Sequence, residues 1–327
     1  NRADILYYVN EYLKTGRQIV DVQSSSDIAD ETISGFSEKT RAILKIEDGC
    51  RNFCSYCLIP FARGKIISKP PEQVVSEAAA VAKAGYKEVV LTGIHLSSYG
   101  ADLQTVCLAD AVKAVADVDG IERIRLGSLE PTVITSDFVE KIASVQKLCP
   151  SFHLSLQSGC DKTLKAMNRR YDCRQYENAV RLLRTYFKDC AVTTDVIVGF
   201  PGESDEDFKQ SCDFIDKIGF AKVHIFPYSK RKGTRAAQMD NQILKSVKQQ
   251  REKLLCEIEQ KNRTEFMSRF VNKTVHVLAE RCEGGVCSGF TENYIHVEFG
   301  GNSNLCNTVV TVRTTRMTDK GLVGEIN

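Results

Sequence analysis

The sequence predicts an α/β fold built on a parallel sheet and followed by a small all-β barrel, and three observations predict it. From Arg41 to about Ile225, short β-rich runs alternate with amphipathic helical patterns, the signature of repeated βα units. From Lys273 onward the pattern changes to short alternating runs separated by Gly, Asn and Ser. Between the two lies a long charged helical segment, about residues 242–266, which reads as a connector.

Six strands are expected in the first region, at 42–47, 88–92, 121–126, 152–156, 192–198 and 222–226. Helix signals fall between them: the pattern over 71–84 stops at Gly85, and Ser204 opens a capping box with Asp207 ahead of Phe208, Phe214 and Ile215. Periodicity does not choose between an open doubly wound sheet and a partial barrel, but both collect ligands at the carboxyl ends of the strands. In the last region, runs at 274–279, 286–290, 294–299, 309–312 and 322–326 fit an OB-like barrel, an architecture that often binds nucleic acid. At the start, Ile5, Tyr8, Val9, Tyr12 and Leu13 share one helical face, read as the last helix of a preceding domain or as a helix docked on the main one.

Composition narrows the class. The chain has 327 residues, 43% apolar and 26% charged, which excludes wholesale disorder and collagen-like chains. A net charge of +2 does not by itself call for a nucleic-acid partner. Thirteen cysteines, an odd number in a long chain, fit reduced thiols better than a disulfide framework. No apolar run approaches a membrane span and no signal segment is present, so no membrane partner and a cytoplasmic location are expected.

The strongest chemical signal is Cys50-Arg51-Asn52-Phe53-Cys54-Ser55-Tyr56-Cys57, placed just after the first strand. Three thiolates on one loop can wrap an iron–sulfur cubane and leave one iron free for a small molecule. A structural zinc would want a fourth nearby Cys or His, and none follows within about thirty residues. Cys282, Cys287 and Cys306 fit no common metal spacing and read as packing thiols. His95, His153 and His224 also lack ligand spacing and read as core or rim residues.

The Cys-x-x-x-Cys-x-aromatic-Cys arrangement resembles the radical S-adenosylmethionine (SAM) superfamily. That resemblance implies a partial (β/α)6 TIM-like barrel and a [4Fe-4S] cluster on Cys50, Cys54 and Cys57, with S-adenosyl-L-methionine at the open iron. It implies cleavage of the sulfonium to a 5′-deoxyadenosyl radical that abstracts hydrogen from an unactivated carbon. It also places Tyr56 beside the adenine and the backbone at Thr92 and Gly93 near the methionine amino group. Polar groups after the later strands, Glu130, Gln157, Asp195 and Gly199, are candidates for the ribose and carboxylate, with Gln157 the best ribose candidate.

Three further segments, 152–159, 167–171 and 194–203, look like methylthiotransferases, and 224–234 is most similar to those acting on N6-threonylcarbamoyladenosine in tRNA. Arg235 departs from that pattern, standing where a proline is expected. The resemblance covers about residue 41 to the end and makes the last region a TRAM domain. It divides the chain into residues 1–39, a remnant of an amino-terminal domain with its linker; 40–266, the radical SAM domain with the connector; and 267–327, TRAM. The family's amino-terminal domain, which carries a second [4Fe-4S] cluster for sulfur insertion, is expected to be missing from this chain. Without it the chain would cleave SAM and be incomplete for sulfur insertion.

The implied partners are tRNA, an electron donor such as flavodoxin or ferredoxin, and a sulfur donor. Candidate RNA contacts are Lys230, Arg231, Lys232 and Arg235 near the active rim, with Tyr294, Arg313 and Arg316 in the barrel, because phosphates attract cations and bases stack on aromatic rings. The expected reaction is 2-methylthiolation of N6-threonylcarbamoyladenosine next to the anticodon. Alternatives are isopentenyladenosine in tRNA, an aspartate of a ribosomal protein, or a noncatalytic iron–sulfur RNA-binding protein.

Overall fold

The computed structural model describes residues 4–19 and 40–327. Of the expected segment 1–39, all but 4–19 lies outside the described residues. Helix α1 (Ile5–Thr15) ends on Gly16 in the left-handed conformation, and its apolar residues, Ile5, Leu6 and Leu13 among them, are exposed.

The βα series runs in the expected order: β1 (Arg41–Asp48), α2 (Ile59–Arg63), β2 (Ile67–Ser68), α3 (Pro71–Lys83), β3 (Glu88–Gly93), α4 (Leu108–Ala116) and β4 (Arg123–Leu126). It continues through α5 (Ser136–Ala143), β5 (Ser151–His153), α6 (Asp161–Ala166), α7 (Cys173–Tyr186), β6 (Ala191–Val198), α8 (Asp205–Ile218) and β7 (Lys222–Pro227). Local chemistry sets the helix starts. Ser204 and Asp207 form the expected capping box at α8, and Asp172 with Gln175 forms another at α7. Pro71 opens α3, where its missing N–H costs nothing.

Strands β1, β3 and β4 pair in parallel, as do β5, β6 and β7. Parallel bridges from Ile124 to Leu148 and from Leu129 to Leu154 join the two groups into one curved wall. The result is the partial barrel, edged on one side by the short antiparallel β2. Side chains alternate across the wall. Val192, Val196 and Val198 of β6 are buried in the core against the helices, whereas Thr193, Asp195 and Ile197 lie on the opposite, partly open face.

After α9 (Arg235–Gln238), the connector α10 (Lys245–Ser268) leads into five strands: β8 (Thr274–Glu283), β9 (Val286–Thr291), β10 (His296–Gly300), β11 (Val309–Thr318) and β12 (Gly321–Ile326). They close into a barrel in the order β10-β12-β11-β8-β9. Its core, Val275, Val277, Val297, Phe299 and Val312, continues into Phe266 and Phe270 at the end of the connector and Ala191 at the start of β6. Cys282 and Cys287 are not separate packing thiols. They stand directly opposite across the β8–β9 hairpin and are joined in a disulfide, while Cys306 stays free.

The small barrel sits against the starts of the parallel strands. Arg125 is the hub: Nε donates to Glu88 Oε1 (2.7 Å), Nη1 to the Glu292 carbonyl (2.8 Å) and Nη2 to the Thr291 carbonyl (2.7 Å). Arg123 donates to the carbonyls of Phe290 and His276, and Arg41 Nε pairs with Glu280 at 2.9 Å. Tyr294 stacks on Phe290 with the Arg41 and Arg125 guanidiniums 5.0 and 4.8 Å from its centroid, and its hydroxyl accepts from Arg41 Nη1. Tyr294, expected as an RNA contact, is 44% exposed at this position. Its ring is already stacked and its hydroxyl occupied in the seam between the barrels.

Candidate functional site

The cysteine loop leaves β1 through Gly49, whose φ is +92° and where a Cβ would run into the Lys65 carbonyl, so only glycine fits before Cys50. The loop is then pinned from the far side of the chain. Ser55 N–H donates to the Met167 carbonyl (2.9 Å) and its hydroxyl to the Ala166 carbonyl (2.9 Å). Asn168 Nδ2 donates to the carbonyls of Asn52 and Phe53. Phe53 itself holds a positive φ of +49°, a conformation that non-glycine residues keep only when their surroundings fix it.

Cys50, Cys54 and Cys57 are all unpaired and partly accessible. Two of the sulfurs already receive N–H groups: Arg169 Nη1 donates to Cys54 Sγ (3.2 Å) and Ile59 N–H to Cys57 Sγ (3.4 Å). Burial pushes the Cys50 and Cys57 thiols up, and the neighbouring cysteines add like-charge repulsion. A cationic centre among them removes both penalties. Three convergent thiols with N–H donors to sulfur are the donor set an iron–sulfur cluster takes, so the residues fit that group.

Arg169 ties this loop to a buried polar network. Besides Cys54 it pairs through Nη2 with Glu130 Oε1 at 2.7 Å and donates through Nε to Tyr171 Oη at 2.9 Å. Asn52 Nδ2 donates to Glu130 Oε1 (2.9 Å), and His95 Nε2 lies 3.2 Å from Glu130 Oε2. Burial alone would raise the Glu130 carboxyl, but the His95 hydrogen bond and the Arg169 charge hold it below the usual carboxylate range. Glu47, at the end of β1, accepts from His95 N–H (2.7 Å), and burial pushes its carboxyl up to about 7. Arg169, Asn52, His95 and Glu47 were not singled out as functional from sequence. Arg169 lies 115 residues from Cys54, and no local spacing announces that contact.

The other expected residues divide by what they touch. Tyr56 is partly buried, edge-on to Phe200, in an apolar cluster with Tyr228 and Ile197. Thr92 and Gly93 end β3, and a Cβ on Gly93 would meet Glu47 Oε2 at 2.5 Å, so backbone stays open there only with glycine. Gln157 has φ of +71°; its backbone bonds Asp195 and Ile197, leaving its side-chain amide without a partner among the described residues. A strained non-glycine residue with a free amide at a strand end is a site signature.

Three expected residues already have partners within the protein. Glu130 is engaged by Arg169, Asn52 and His95. Asp195 lies in mid-strand rather than at a strand end, 3.4 Å from His153 Nε2. The Gly199 N–H is likewise taken by Glu203, which pairs with Arg251. His153 and His224 lie together on the inner face. With Asp195 they bring three ligand-type atoms within 4.8 Å of one another, a cluster invisible to sequence spacing because each residue comes from a different strand.

Lys230, Arg231 and Lys232 form an exposed loop beside the cysteines. The Ala236 N–H donates to the Ser55 carbonyl (2.7 Å), Gly233 faces Leu58, and the Arg231 charge acts on Cys57. Arg235 is exposed at the start of α9, and Arg313 and Arg316 are exposed on β11.

Residues 44–215, just over half the chain, match the model of the radical SAM superfamily. A threonylcarbamoyladenosine tRNA methylthiotransferase, MtaB, of Chlamydia pneumoniae is 42% identical over 90% of this chain and 70% of its own length. The chain belongs to the radical SAM methylthiotransferase family. The MtaB of Bacillus subtilis is 35% identical over 96% of this family member and 71% of its own length. A tRNA-2-methylthio-N(6)-dimethylallyladenosine synthase of Clostridium tetani is 34% identical, covering 97% and 71%. Among solved structures, the radical SAM methyltransferase TsrM of Kitasatospora setae, described with cobalamin and a [4Fe-4S] cluster, superposes with a TM-score of 0.51. It is 18% identical, over 60% of this chain and 38% of its own, a likeness of fold. Among the described residues no helix is long and apolar enough to cross a membrane.

Proposed function

We propose that this methylthiotransferase converts N6-threonylcarbamoyladenosine next to the tRNA anticodon to its 2-methylthio derivative. The observation that carries the reading is the loop of three unpaired thiols at the carboxyl end of β1, two of them receiving N–H groups, joined to the greater identity with the threonylcarbamoyladenosine enzyme than with the dimethylallyladenosine one.

Cys50, Cys54 and Cys57 would hold a [4Fe-4S] cluster with one iron open to S-adenosyl-L-methionine. Once bound, that group supplies the electron for cleaving the sulfonium. The remaining work belongs to the chain. Arg169 orients Cys54 and neutralises Glu130; Glu130 in turn fixes Asn52 inside the cysteine loop. Tyr56 walls the adenine side, the backbone at Thr92 and Gly93 takes the amino group, and the free Gln157 amide takes a ribose hydroxyl. Residues 40–266 act as the catalytic unit and 267–327 as the TRAM unit. Lys230, Arg231, Lys232 and Arg235 meet RNA phosphates at the rim, and Arg313 and Arg316 do so on the barrel. The reaction needs a cytoplasmic reductant and a sulfur donor.

Anaerobic reconstitution with iron and sulfide tests the reading. Reduced protein with S-adenosylmethionine is expected to yield 5′-deoxyadenosine and methionine, and Cys54→Ala to lose both iron and product. Retained product in the variant would overturn the assignment.

A further inference from the structure

His153, Asp195 and His224 come from three adjacent parallel strands, at neighbouring levels on the wall face that does not pack on helices. Their outer neighbours Phe152, Leu154, Val192, Val196 and Val223 are buried in the core, whereas these three are partly exposed on the inner face. His153 Nδ1 lies 3.0 Å from Thr193 Oγ1, its Nε2 is 3.4 Å from Asp195 Oδ2, and the His153 and His224 rings are 5.9 Å apart. Burial and the Lys222 charge lower the His224 pKa, which favours the neutral ring with its one N–H to donate.

One pleat nearer the strand ends, on the same face, are Ile197 and Phe226, which are paired across β6 and β7. Ile197 packs with Tyr56 and Phe200 behind the cysteine loop, and Phe226 is 51% exposed, unusual for a phenylalanine on a barrel's inner wall. Two residues along a strand span about 6–7 Å. A purine placed on Phe226 and Ile197 beneath the cysteine loop would carry a substituent of that length down onto His153, Asp195 and His224.

We propose that His153, Asp195 and His224 form the pocket that reads the N6 substituent of the target adenosine, selecting a ureido arm that ends in a carboxylate. The inference rests on the function proposed above and names how that substrate is distinguished. A threonylcarbamoyl arm offers ureido N–H groups, which Asp195 accepts, and a carboxylate, which His224 and Lys222 on the same face receive, while His153, held between Thr193 and Asp195, positions the Asp195 carboxylate. A dimethylallyl arm offers no hydrogen bond and covers His224 and the remaining acceptor positions of Asp195 without pairing them. Sites built around hydrogen bonds reject such analogues strongly.

The test uses the full chain and three anticodon stem-loop RNAs carrying threonylcarbamoyladenosine, dimethylallyladenosine or unmodified adenosine at the target position, with affinities measured by fluorescence anisotropy. Wild type is expected to prefer the threonylcarbamoyl RNA. His224→Ala and His153→Ala should each weaken that RNA by about 10- to 100-fold, leave the other two RNAs bound as before, and remove the preference. The conservative His224→Gln should restore part of it, and unchanged circular dichroism separates pocket loss from unfolding. A wild-type preference that survives His224→Ala overturns the pocket and leaves the proposed substrate standing. A wild-type preference for the dimethylallyl RNA overturns both. A preference abolished by EDTA and restored by Zn2+ also overturns the pocket as drawn, because the cluster would then be a cation site.

Discussion

The partial barrel carries a buried arginine network at each end, and the two are finished differently. At the strand starts, Arg125 uses its donors on Glu88 and on the Thr291 and Glu292 carbonyls of the small barrel, with Tyr294 stacked over it. At the strand ends, Arg169 satisfies Glu130 and Tyr171 but sends one donor to the sulfur of Cys54. Both guanidiniums are almost wholly buried, so burial and ion pairing do not tell structure from function. What does is where the last donor goes. A network closed on carbonyls and carboxylates is a rivet, whereas one that ends on an accessible thiol supports chemistry.

Breaking the rivet should cost the most. Arg125→Ala leaves Glu88 buried without its short partner and frees two carbonyls, and should lower stability by about 3–5 kcal/mol in denaturant titrations while the reconstituted cluster keeps its absorption spectrum. An equal loss of cluster would erase the contrast between the two ends. Next is Glu47, whose carboxyl is raised by burial to about 7. The folded state then holds a proton that the unfolded chain releases near its ordinary value of 4.5, so stability falls as pH rises from about 4.5 to about 7. Glu47→Gln should remove up to about 3 kcal/mol of that slope when the two proteins are titrated with urea at pH 4.5 and pH 8.

At the mouth, Arg169→Ala should cut 5′-deoxyadenosine formation by about 10- to 100-fold, and Arg169→Lys should recover only part of it, since a point charge does not serve sulfur, Glu130 and Tyr171 together. Activity unchanged by Arg169→Ala would make this network a second rivet. The smallest effect is expected at the exposed loop. Lys230→Ala with Lys232→Ala should lower the salt slope of RNA binding by about 2, one for each phosphate no longer neutralised. A slope that does not move would take these residues out of the interface.

The same contrast explains what the sequence made legible. Strand positions came through because apolar alternation is local: β6 and β7 lie within a residue of expectation, and the Ser204 capping box holds α8. The cysteine loop was legible for the same reason, three ligands within eight residues. β5 is shorter than expected, because past His153 the chain bonds by isolated bridges and turns at Gln157 with positive φ. Arg169, His95 and the His153–Asp195–His224 group could not be read, since each of these associations is made by closing the wall. The setting of Tyr294 was hidden for the same reason: an aromatic residue in a polar turn gives no sign that the neighbouring barrel brings Arg41 and Arg125 to its ring.

Because the small barrel is riveted to the strand starts and the cysteines sit at the strand ends, the parallel wall acts as a ruler. Its longest strands have eight residues, and tilted as barrel strands are, they set the two ends about 20 Å apart. A molecule that rests on the small barrel while presenting a base to the cysteines has to bridge that gap by its own rigidity. On the proposed RNA contacts at Arg313 and Arg316, a free nucleoside would fall short of that gap and a folded stem would reach across it.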